Sequence, residues 1–305
     1  MWLGFQTEEL ATHPERTPGA ARLKTPKKHA DLDLFARMLK VFADTPWLHY
    51  GLWIEGETPS FPKVRQAQER YVDKLLALLP AAPARVLDIG GGTGAMAGRL
   101  ASLGYSVEML TPSEVQVGIA REALGGAATV HLSRLEDFAP GTRFDVCLFS
   151  ESYQYIPLAA SFAKLGELLA PDGRVVIADC FRSDGYQGGR AIGGGHRYSG
   201  FLNAVESSGF VIASNEDVTA LAAPSIEIDR MLYRDVLSPV VTQLGGLLEE
   251  KRPITHWLAR QAYGLFVNSR ERQRIADRLQ AEYRTPELFV ANNTYRFLTL
   301  QRRAG

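Results

Sequence analysis

Apolar runs alternate with amphipathic stretches between residues 85 and 180, and this alternation predicts a parallel sheet. Five runs have the composition of buried strands, at 85–90, 106–111, 128–133, 144–150 and 173–180. Three stretches between them have apolar residues at helical spacing, at 94–103, 113–124 and 158–169. Strands that alternate with helices of this length form right-handed crossovers, so helices cover both faces of the sheet. Ligands bind such sheets beyond the carboxyl ends of the strands, so the residues after each strand are the candidates for function.

The chain outside this alternation divides into an N-terminal part and a late insertion. Residues 1–28 contain three prolines and five lysines or arginines, which predicts an irregular basic arm. Apolar residues at helical spacing within 29–80 predict N-terminal helices. Residues 210–219 and 295–303 also predict strands, and residues 221–292 lie between them. A connection of that length, with helical periodicity, predicts a helical cap.

Composition and charge set the expected environment. The 305 residues are 46% hydrophobic, enough for a full core, and 34 basic residues balance 34 acidic ones. Binding to nucleic acid or to an anionic membrane usually requires a basic excess, so neither partner is expected. Cys147 and Cys180 lie in predicted buried strands, which favours a role as small hydrophobic residues over a disulfide or a metal site. The absence of a long apolar stretch and of a signal-peptide centre predicts a cytoplasmic location.

The stretch from Val86 to Gly94 has the pattern of a strand, a tight turn and the start of a helix. Its glycines follow an aspartate at every second position, in the order Asp88, Gly90, Gly92 and Gly94. Glycine accepts positive φ and has no Cβ, so the backbone of such a turn can approach a ligand closely. A dinucleotide site would need a glycine and, further on, an acid, where the chain has Ala95 and Thr111. A different cofactor and a glycine turn that binds nothing are the remaining interpretations.

This glycine spacing resembles motif I of the class I S-adenosylmethionine-dependent methyltransferases, in which the turn lies against the methionine part of the cofactor. The resemblance implies an α/β fold with a doubly wound, Rossmann-like, seven-stranded sheet whose last strand is antiparallel. It assigns residues 81–220 and 293–305 to the core and implies S-adenosyl-L-methionine as the cofactor. Across residues 47–219, several stretches follow the order found in the tocopherol and sugar O-methyltransferases, a small-molecule group.

Three of these stretches indicate where the cofactor would lie. His49-Tyr50-Gly51-Leu52-Trp53 is similar to a His-x-Gly-Tyr-Trp segment that folds over the cofactor in that group, so Tyr50 is a candidate contact. Packing of the N-terminal helices onto the core is an equal interpretation of these aromatic residues. The stretch 110–117 is similar to an Ile-Ser-x-Ser-x-x-Gln-Val segment, which implies that Gln116 lies near the ribose. The exit of the fourth strand matches the same group and makes Glu151 a further wall residue.

Two positions depart from the family pattern. Thr111 ends the second strand, where many class I enzymes carry an acid for the ribose hydroxyls. Local chemistry accounts for it, because Thr111 and Glu114 fit a helix capping box with Thr111 as N-cap. Thr111 remains a candidate cofactor contact. After the third strand the chain lacks the Asp that holds the adenine amine in related enzymes, so Leu135 and Glu136 are expected to form the adenine edge.

The catalytic residue is less constrained by the resemblance. A hydroxyl acceptor needs a base that removes its proton. Sugar O-methyltransferases of the group use histidines after the fourth strand, where this chain has Gln154 and Tyr155, and an aspartate after the fifth, which is present as Asp179. Asp179 is the first candidate, against the alternative of a strand-end carboxylate bonded to loop amides. His196 is the second, because the glycine-rich residues 181–199 predict a mobile flap over the acceptor. Tyr155 completes the set.

Three functions fit these observations. The leading one is a methyltransferase acting on oxygen, nitrogen or carbon of a small hydrophobic or aromatic metabolite in specialised metabolism, with the cap as the roof of the acceptor pocket or as a homodimer contact. The second is a cofactor-binding protein with lost or diverted chemistry, which fits the missing adenine Asp and histidine pair. The third is methylation of RNA, DNA or protein with the basic arm as tether. The absence of an Asn/Asp-Pro-Pro-Tyr/Phe box after the fourth strand argues against the third.

Overall fold

A seven-stranded sheet forms the centre of the computed structural model, which describes residues 38–186, 192–255, 257–258, 261, 269, 273 and 284–303. The strands are β1 (Arg85–Ile89), β2 (Ser106–Thr111), β3 (Thr129–Leu132), β4 (Phe144–Ser150), β5 (Leu169–Arg182), β6 (Phe210–Asp217) and β7 (Asn293–Arg302). They lie in the order β3-β2-β1-β4-β5-β7-β6, with β7 antiparallel to β5 and β6. The prediction of a doubly wound sheet with an antiparallel last strand is confirmed.

Helices cover both faces of this sheet. They are α1 (Phe61–Leu76), α2 (Ala95–Ser102), α3 (Glu114–Leu124), α4 (Leu158–Leu168), α5 (Tyr198–Ser207), α6 (Thr219–Ala222), α7 (Pro224–Met231), α8 (Ser238–Lys251) and α9 (Pro286–Asn292). A 3₁₀ turn at Tyr153–Tyr155 follows β4, and a π-helical stretch at Leu232–Leu237 joins α7 to α8. Within the part of the chain that the structure describes, no helix is both long enough and apolar enough to span a membrane.

Successive side chains of each strand point to opposite faces of the sheet, so the core has two layers. Val86 and Val146 point to the face covered by α1, α2 and α3, where Leu100 packs in the same cluster. Leu87 and Phe149 point to the opposite face, which α4 and α5 cover. Because both faces are covered, every side chain of β4 from Val146 to Phe149 is fully buried, as its continuous apolar sequence predicts.

The two cysteines belong to this core. Cys147 and Cys180 are both buried and unpaired, which agrees with the prediction of small hydrophobic residues in strands. The predicted basic arm at 1–28 lies outside the described residues. Of the late insertion, α7 packs on the rest of the protein through Ile226 and Ile228, whereas α8 has no buried residue.

Truncation of Phe149 tests the two-layer core. Phe149 is fully buried and its ring meets Tyr153 edge-on, with centroids 5.0 Å apart. Phe149→Ala leaves a cavity that the surrounding strands cannot close, so we expect the free energy of unfolding to fall by about 3–5 kcal/mol. Urea unfolding measures this loss. Val211→Ala on the half-exposed edge strand β6 is the control and should cost less than about 1 kcal/mol. Equal losses in the two variants would contradict the assignment of Phe149 to the core.

Candidate active site

The carboxyl ends of β1 and β4 meet at the glycine turn. Gly90, Gly92 and Gly94 have φ values of 79°, 58° and 88°, in the left-handed region that favours glycine. A Cβ on Gly90 would overlap the side chain of Ser152, whose hydroxyl donates to the Ile89 carbonyl. A Cβ on Gly92 would have no atom within 4 Å. The backbone is therefore closed against β4 at Gly90 and open to a ligand at Gly92.

Asp88 supports the turn from inside the sheet. The residue is 1% exposed, and its Oδ2 has no hydrogen-bond partner among the described residues. The same oxygen occupies the space that a Cβ on Gly91 would need. Burial raises the pKa of Asp88 to about 7. The predicted cofactor residue thus lies directly beneath the turn, with one oxygen still able to take part in a hydrogen bond.

The end of β2 holds Gln116 beside the glycine turn, but the residue that caps the following helix is not the predicted one. Helix α3 begins at Glu114, and its N-cap is Ser113, whose Oγ accepts from the Gln116 amide at 3.4 Å. The prediction of Thr111 as N-cap is wrong, because Thr111 is still the last residue of β2. Its hydroxyl donates instead to Gln116 Oε1 at 2.6 Å. This bond fixes the side chain of Gln116 next to the strand end.

The residues expected at the adenine edge follow β3. Leu135 is 2% exposed and packs in the core layer that also contains Phe138. Glu136 is half-buried beside it. Their contact with a cofactor stays a prediction.

Glu151 is held in an unusual backbone conformation immediately after β4. Its φ is 54°, in the left-handed region, which costs a residue with a Cβ on the order of 1 kcal/mol or more. Its Oε1 accepts two hydrogen bonds of 2.7 Å, from the Tyr50 backbone amide and from the Tyr295 hydroxyl. Burial raises the pKa of Glu151 to about 7, although both hydrogen bonds act in the opposite direction.

A cavity of about 280 Å³ lies beyond the carboxyl ends of β4 and β5, next to Glu151. Its apolar wall consists of Leu39, Leu48, Trp53, Val64 and Ile228, and its aromatic wall of Tyr50, Tyr155, Tyr233 and Tyr295. Polar groups reach it from His49, Gln68, Gln154, Ser225, Asp229 and Arg284. Its wall is mainly apolar and aromatic, with a few polar groups, as is usual for a small-molecule site.

A second depression, of about 460 Å³, lies on the other side of the glycine turn, between α2, α3 and residues 40–48. Helix side chains form most of its wall, and Lys40 is its one titratable group among the described residues. Thr93 and Gly94 of the glycine turn line this depression, whereas Glu151 after β4 and Cys180 of β5 line the smaller cavity.

The aromatic segment at residues 47–53 covers this cavity and packs on the helices at the same time. Gln68 of α1 donates to the His49 carbonyl at 2.6 Å, and the Leu52 amide donates to the Ala67 carbonyl at 2.8 Å. The Ser225 hydroxyl of α7 accepts from the Gly51 amide and from Trp53 Nε1, each at 3.0 Å. The segment thus joins α1 to α7, as the packing interpretation expects, and it also lines the cavity. Its contact with a cofactor stays a prediction.

Asp179 lies behind the cavity wall. Its Oδ2 accepts from the Gln154 backbone amide at 3.1 Å, and its Oδ1 accepts from Gln154 Nε2 at 3.1 Å and from the Cys180 amide at 2.7 Å. Burial, followed by the negative charge of Glu151, raises the pKa of Asp179 to about 7. These hydrogen bonds match the alternative interpretation of Asp179, a strand-end carboxylate bonded to loop amides. The bond to Gln154 Nε2 also fixes the Gln154 side chain on the cavity wall.

His196 and Tyr155 occupy different surroundings. His196 Nε2 donates to the Ile156 carbonyl at 2.8 Å, and its own carbonyl accepts from the Arg182 amide at 2.8 Å. His196 is not among the residues that line the cavity, and its role at an acceptor stays a prediction. Tyr155 lies at the cavity mouth and is 75% exposed.

Sequence reasoning missed the residues that the insertion brings to the cavity. Arg284 Nε lies 2.6 Å from Asp229 Oδ2, and this ion pair forms one side of the wall. Periodicity predicts helices in the insertion but gives no information about which helix reaches the strand ends. Nothing in the spacing distinguishes Ser225 and Asp229 from Glu227 and Arg230 on the same helix, so the sequence offered no signal for them.

Comparison with known proteins gives a family match over the core. A family model described as a methyltransferase domain matches residues 64–221. The malonyl-[acyl-carrier protein] O-methyltransferase of Geobacter sulfurreducens is 33% identical over 122 residues, which are 36% of this chain and 45% of that protein. The chain thus spans less than half the length of the curated relatives it matches.

Two solved structures have the same fold. The [4+2]-cyclase SpnF superposes with a TM-score of 0.62 at 20% identity, over 90% of this chain and 94% of that one. A geranyl diphosphate C-methyltransferase from Streptomyces coelicolor, solved with S-adenosyl-L-homocysteine, superposes with a TM-score of 0.59 at 14% identity, over 87% and 91% of the two chains.

The raised pKa values predict a pH dependence of stability. A carboxyl with a folded-state pKa near 7 binds its proton more tightly in the folded than in the unfolded protein, so its contribution to stability is lost as pH rises from about 4 to 7. Between pH 5 and 7 the loss is on the order of 2 kcal/mol for one such group. Asp179→Asn should therefore flatten the pH dependence of urea unfolding by about that amount.

The slope with pH is the readout, because an Asn amide also loses hydrogen bonds from the loop. Glu167→Gln, at an exposed position on α4, should leave the slope unchanged. An equal slope in the wild type and Asp179→Asn would show that Asp179 is ionised throughout this range.

Proposed function

Because this chain belongs to the class I S-adenosylmethionine-dependent methyltransferases, we propose that it methylates a small, hydrophobic or aromatic molecule bound in the cavity beneath the aromatic segment. The observation that carries the proposal is the place of that cavity. Glu151 lines it, and the next residue, Ser152, packs against Gly90 of the glycine turn. A molecule in the cavity would thus lie beside the cofactor turn.

The residues at the strand ends fit the cofactor. The open side of Gly92 provides room for close approach, and the unpaired Oδ2 of Asp88 lies beneath. Thr111 and Gln116 are the candidate contacts at the end of β2, with Leu135 and Glu136 after β3. Tyr50 and Glu151 would close the site on the cavity side. When bound, S-adenosylmethionine supplies a methyl group on a positively charged sulfur, which keeps the electron pair of the broken carbon–sulfur bond.

The walls and volume of the cavity support this class of acceptor. Its walls are mainly apolar and aromatic, and its volume of about 280 Å³ suits a small molecule. Burial under residues 47–53 and α7 keeps water from the reacting groups and holds the acceptor close to the methyl group. Tyr155, at the mouth, and Gln154, fixed by Asp179, would orient the acceptor. His196 supports this wall from behind through its contact with Ile156.

A labelling experiment tests this function. The protein is incubated with methyl-labelled S-adenosylmethionine and a metabolite extract, and separately with RNA, DNA and a protein pool. We expect a labelled small molecule and release of S-adenosylhomocysteine with the metabolite extract alone. Cofactor binding without release from any pool would select a protein with lost or diverted chemistry. Label in RNA, DNA or protein would contradict a small acceptor.

A pair of glycine substitutions tests the cofactor site. Gly92 and Gly56 have φ values of 58° and 76°, and a Cβ on either meets nothing within 4 Å, so Ala pays the same backbone strain at both. Gly92→Ala should weaken the binding of S-adenosylhomocysteine at least about 10-fold in calorimetry, because its methyl group enters the space meant for the cofactor. Gly56→Ala should leave the affinity unchanged. Equal affinities would place the cofactor elsewhere.

A further inference from the structure

One carboxylate oxygen on the cavity wall has no assigned role. Glu151 Oε1 is occupied by the Tyr50 amide and the Tyr295 hydroxyl, each at 2.7 Å. Glu151 Oε2 accepts no hydrogen bond from a described residue, and the side chain lines the cavity. The rigid hold on one oxygen leaves the other in a fixed position for a ligand.

Two carboxylates of the described residues line the cavity, those of Glu151 and Asp229, and only Asp229 has a cation beside it. Asp229 is neutralised by Arg284 at 2.6 Å. Among the described residues, Glu151 has no ion pair with a lysine, an arginine or a histidine. The negative charge of Glu151 raises the pKa of the titratable groups around it, which are Tyr50 in the aromatic segment, Tyr71 in α1, Tyr155 in the 3₁₀ turn, Asp179 and Cys180 in β5, and Tyr295 in β7. None of these groups supplies a positive charge, so the carboxyl can bind a proton near neutral pH.

We propose that Glu151 is the general base for a hydroxyl-bearing acceptor in this cavity. The proposal rests on the function proposed above and moves Glu151 from the cofactor wall to the reacting groups. The strained φ of 54° at Glu151 is consistent with such a role, since strain of this kind is concentrated at functional sites. A base that titrates near the working pH is also the most effective one.

Glu151 would take the acceptor's proton as the methyl group is transferred. The O–H bond of the acceptor breaks, and its electron pair stays on the oxygen. The oxygen forms a bond to the methyl carbon while the carbon–sulfur bond breaks and leaves its electron pair on the sulfur. The proton passes to Glu151 Oε2, which is then a neutral carboxyl and releases the proton to solvent after the product leaves.

A hydroxyl is favoured over an amine by the chemistry of the site. An uncharged amine attacks with a lone pair that it already has, whereas a hydroxyl is a weak nucleophile until its proton leaves. A protonated amine would use Glu151 as a counter-ion, so removal of the charge would weaken acceptor binding and leave the maximal rate unchanged. The two cases therefore differ in which kinetic constant changes.

Glu151→Gln is the matched substitution, because its amide oxygen can still accept from the Tyr50 amide and the Tyr295 hydroxyl. Turnover is measured with the metabolite fraction that the wild type labels, diluted in series to give a maximal rate and a half-saturating dilution. We expect the maximal rate to fall at least about 100-fold. The half-saturating dilution and the calorimetric affinity for S-adenosylhomocysteine should each stay within about threefold. Glu167→Gln, at the exposed position on α4, should match the wild type throughout.

A second measurement does not depend on turnover. Protein labelled with ¹³C at the glutamate side-chain carboxyls is titrated by NMR, and the signal lost in Glu151→Gln identifies Glu151. We expect this signal to titrate with a midpoint close to 7.

Several outcomes would overturn the proposal. A maximal rate within threefold of wild type would leave Glu151 as a structural clamp. A changed half-saturating dilution at an unchanged rate would make it the counter-ion of an amine, and lost affinity for S-adenosylhomocysteine would return it to the cofactor site. A midpoint near 4 would remove its capacity to act as a base near neutral pH. Absence of turnover in the wild type with every pool would instead count against the proposed function itself.

Discussion

Burial of carboxyl groups without cations is the constraint on which the strand-end site depends. Asp88 and Asp179 lie near the carboxyl ends of β1 and β5, and Glu151 follows β4. Burial raises the pKa of each to about 7. Glu151 and Asp179 are held by backbone amides and uncharged side chains, whereas Asp88 keeps an unpaired oxygen beneath the glycine turn. Such groups cost stability at neutral pH, and a protein keeps them where their chemistry or their geometry is needed.

The fold follows from local patterns that the sequence carries in full. Buried strands such as β4 are continuous apolar runs because both faces of the sheet are covered, and amphipathic stretches between them have the spacing of α2, α3 and α4. Predicted and observed ends agree within one residue for these helices. The glycine turn was equally predictable, because its residues are adjacent in the chain and their spacing fixes the backbone.

The acceptor side was not predictable in the same way, because it is built from residues far apart in the chain. His49, Asp229 and Tyr295 meet at one cavity only after the insertion folds back over the strand ends. The sequence also allows more than one N-cap for the same helix. Thr111 and Ser113 can each cap α3, and the geometry at the end of β2 decides between them. Asp179 and His196 are both polar residues near the strand ends, yet their nearest partners are backbone groups, which no spacing rule reveals.

The Ser225 hydroxyl accepts hydrogen bonds from both the Gly51 amide and Trp53 Nε1, so a single oxygen atom of α7 holds the aromatic segment at residues 47–53. Residues 47–53 and α7 therefore form the roof of the cavity together, although they are about 170 residues apart in sequence. A change of acceptor range, in evolution or in the laboratory, would have to alter both pieces together. A chimera that exchanged residues 47–53 without α7 would break the hydrogen bonds between the aromatic segment and Ser225. The cavity would then lose its present shape, and no new, defined acceptor site would form.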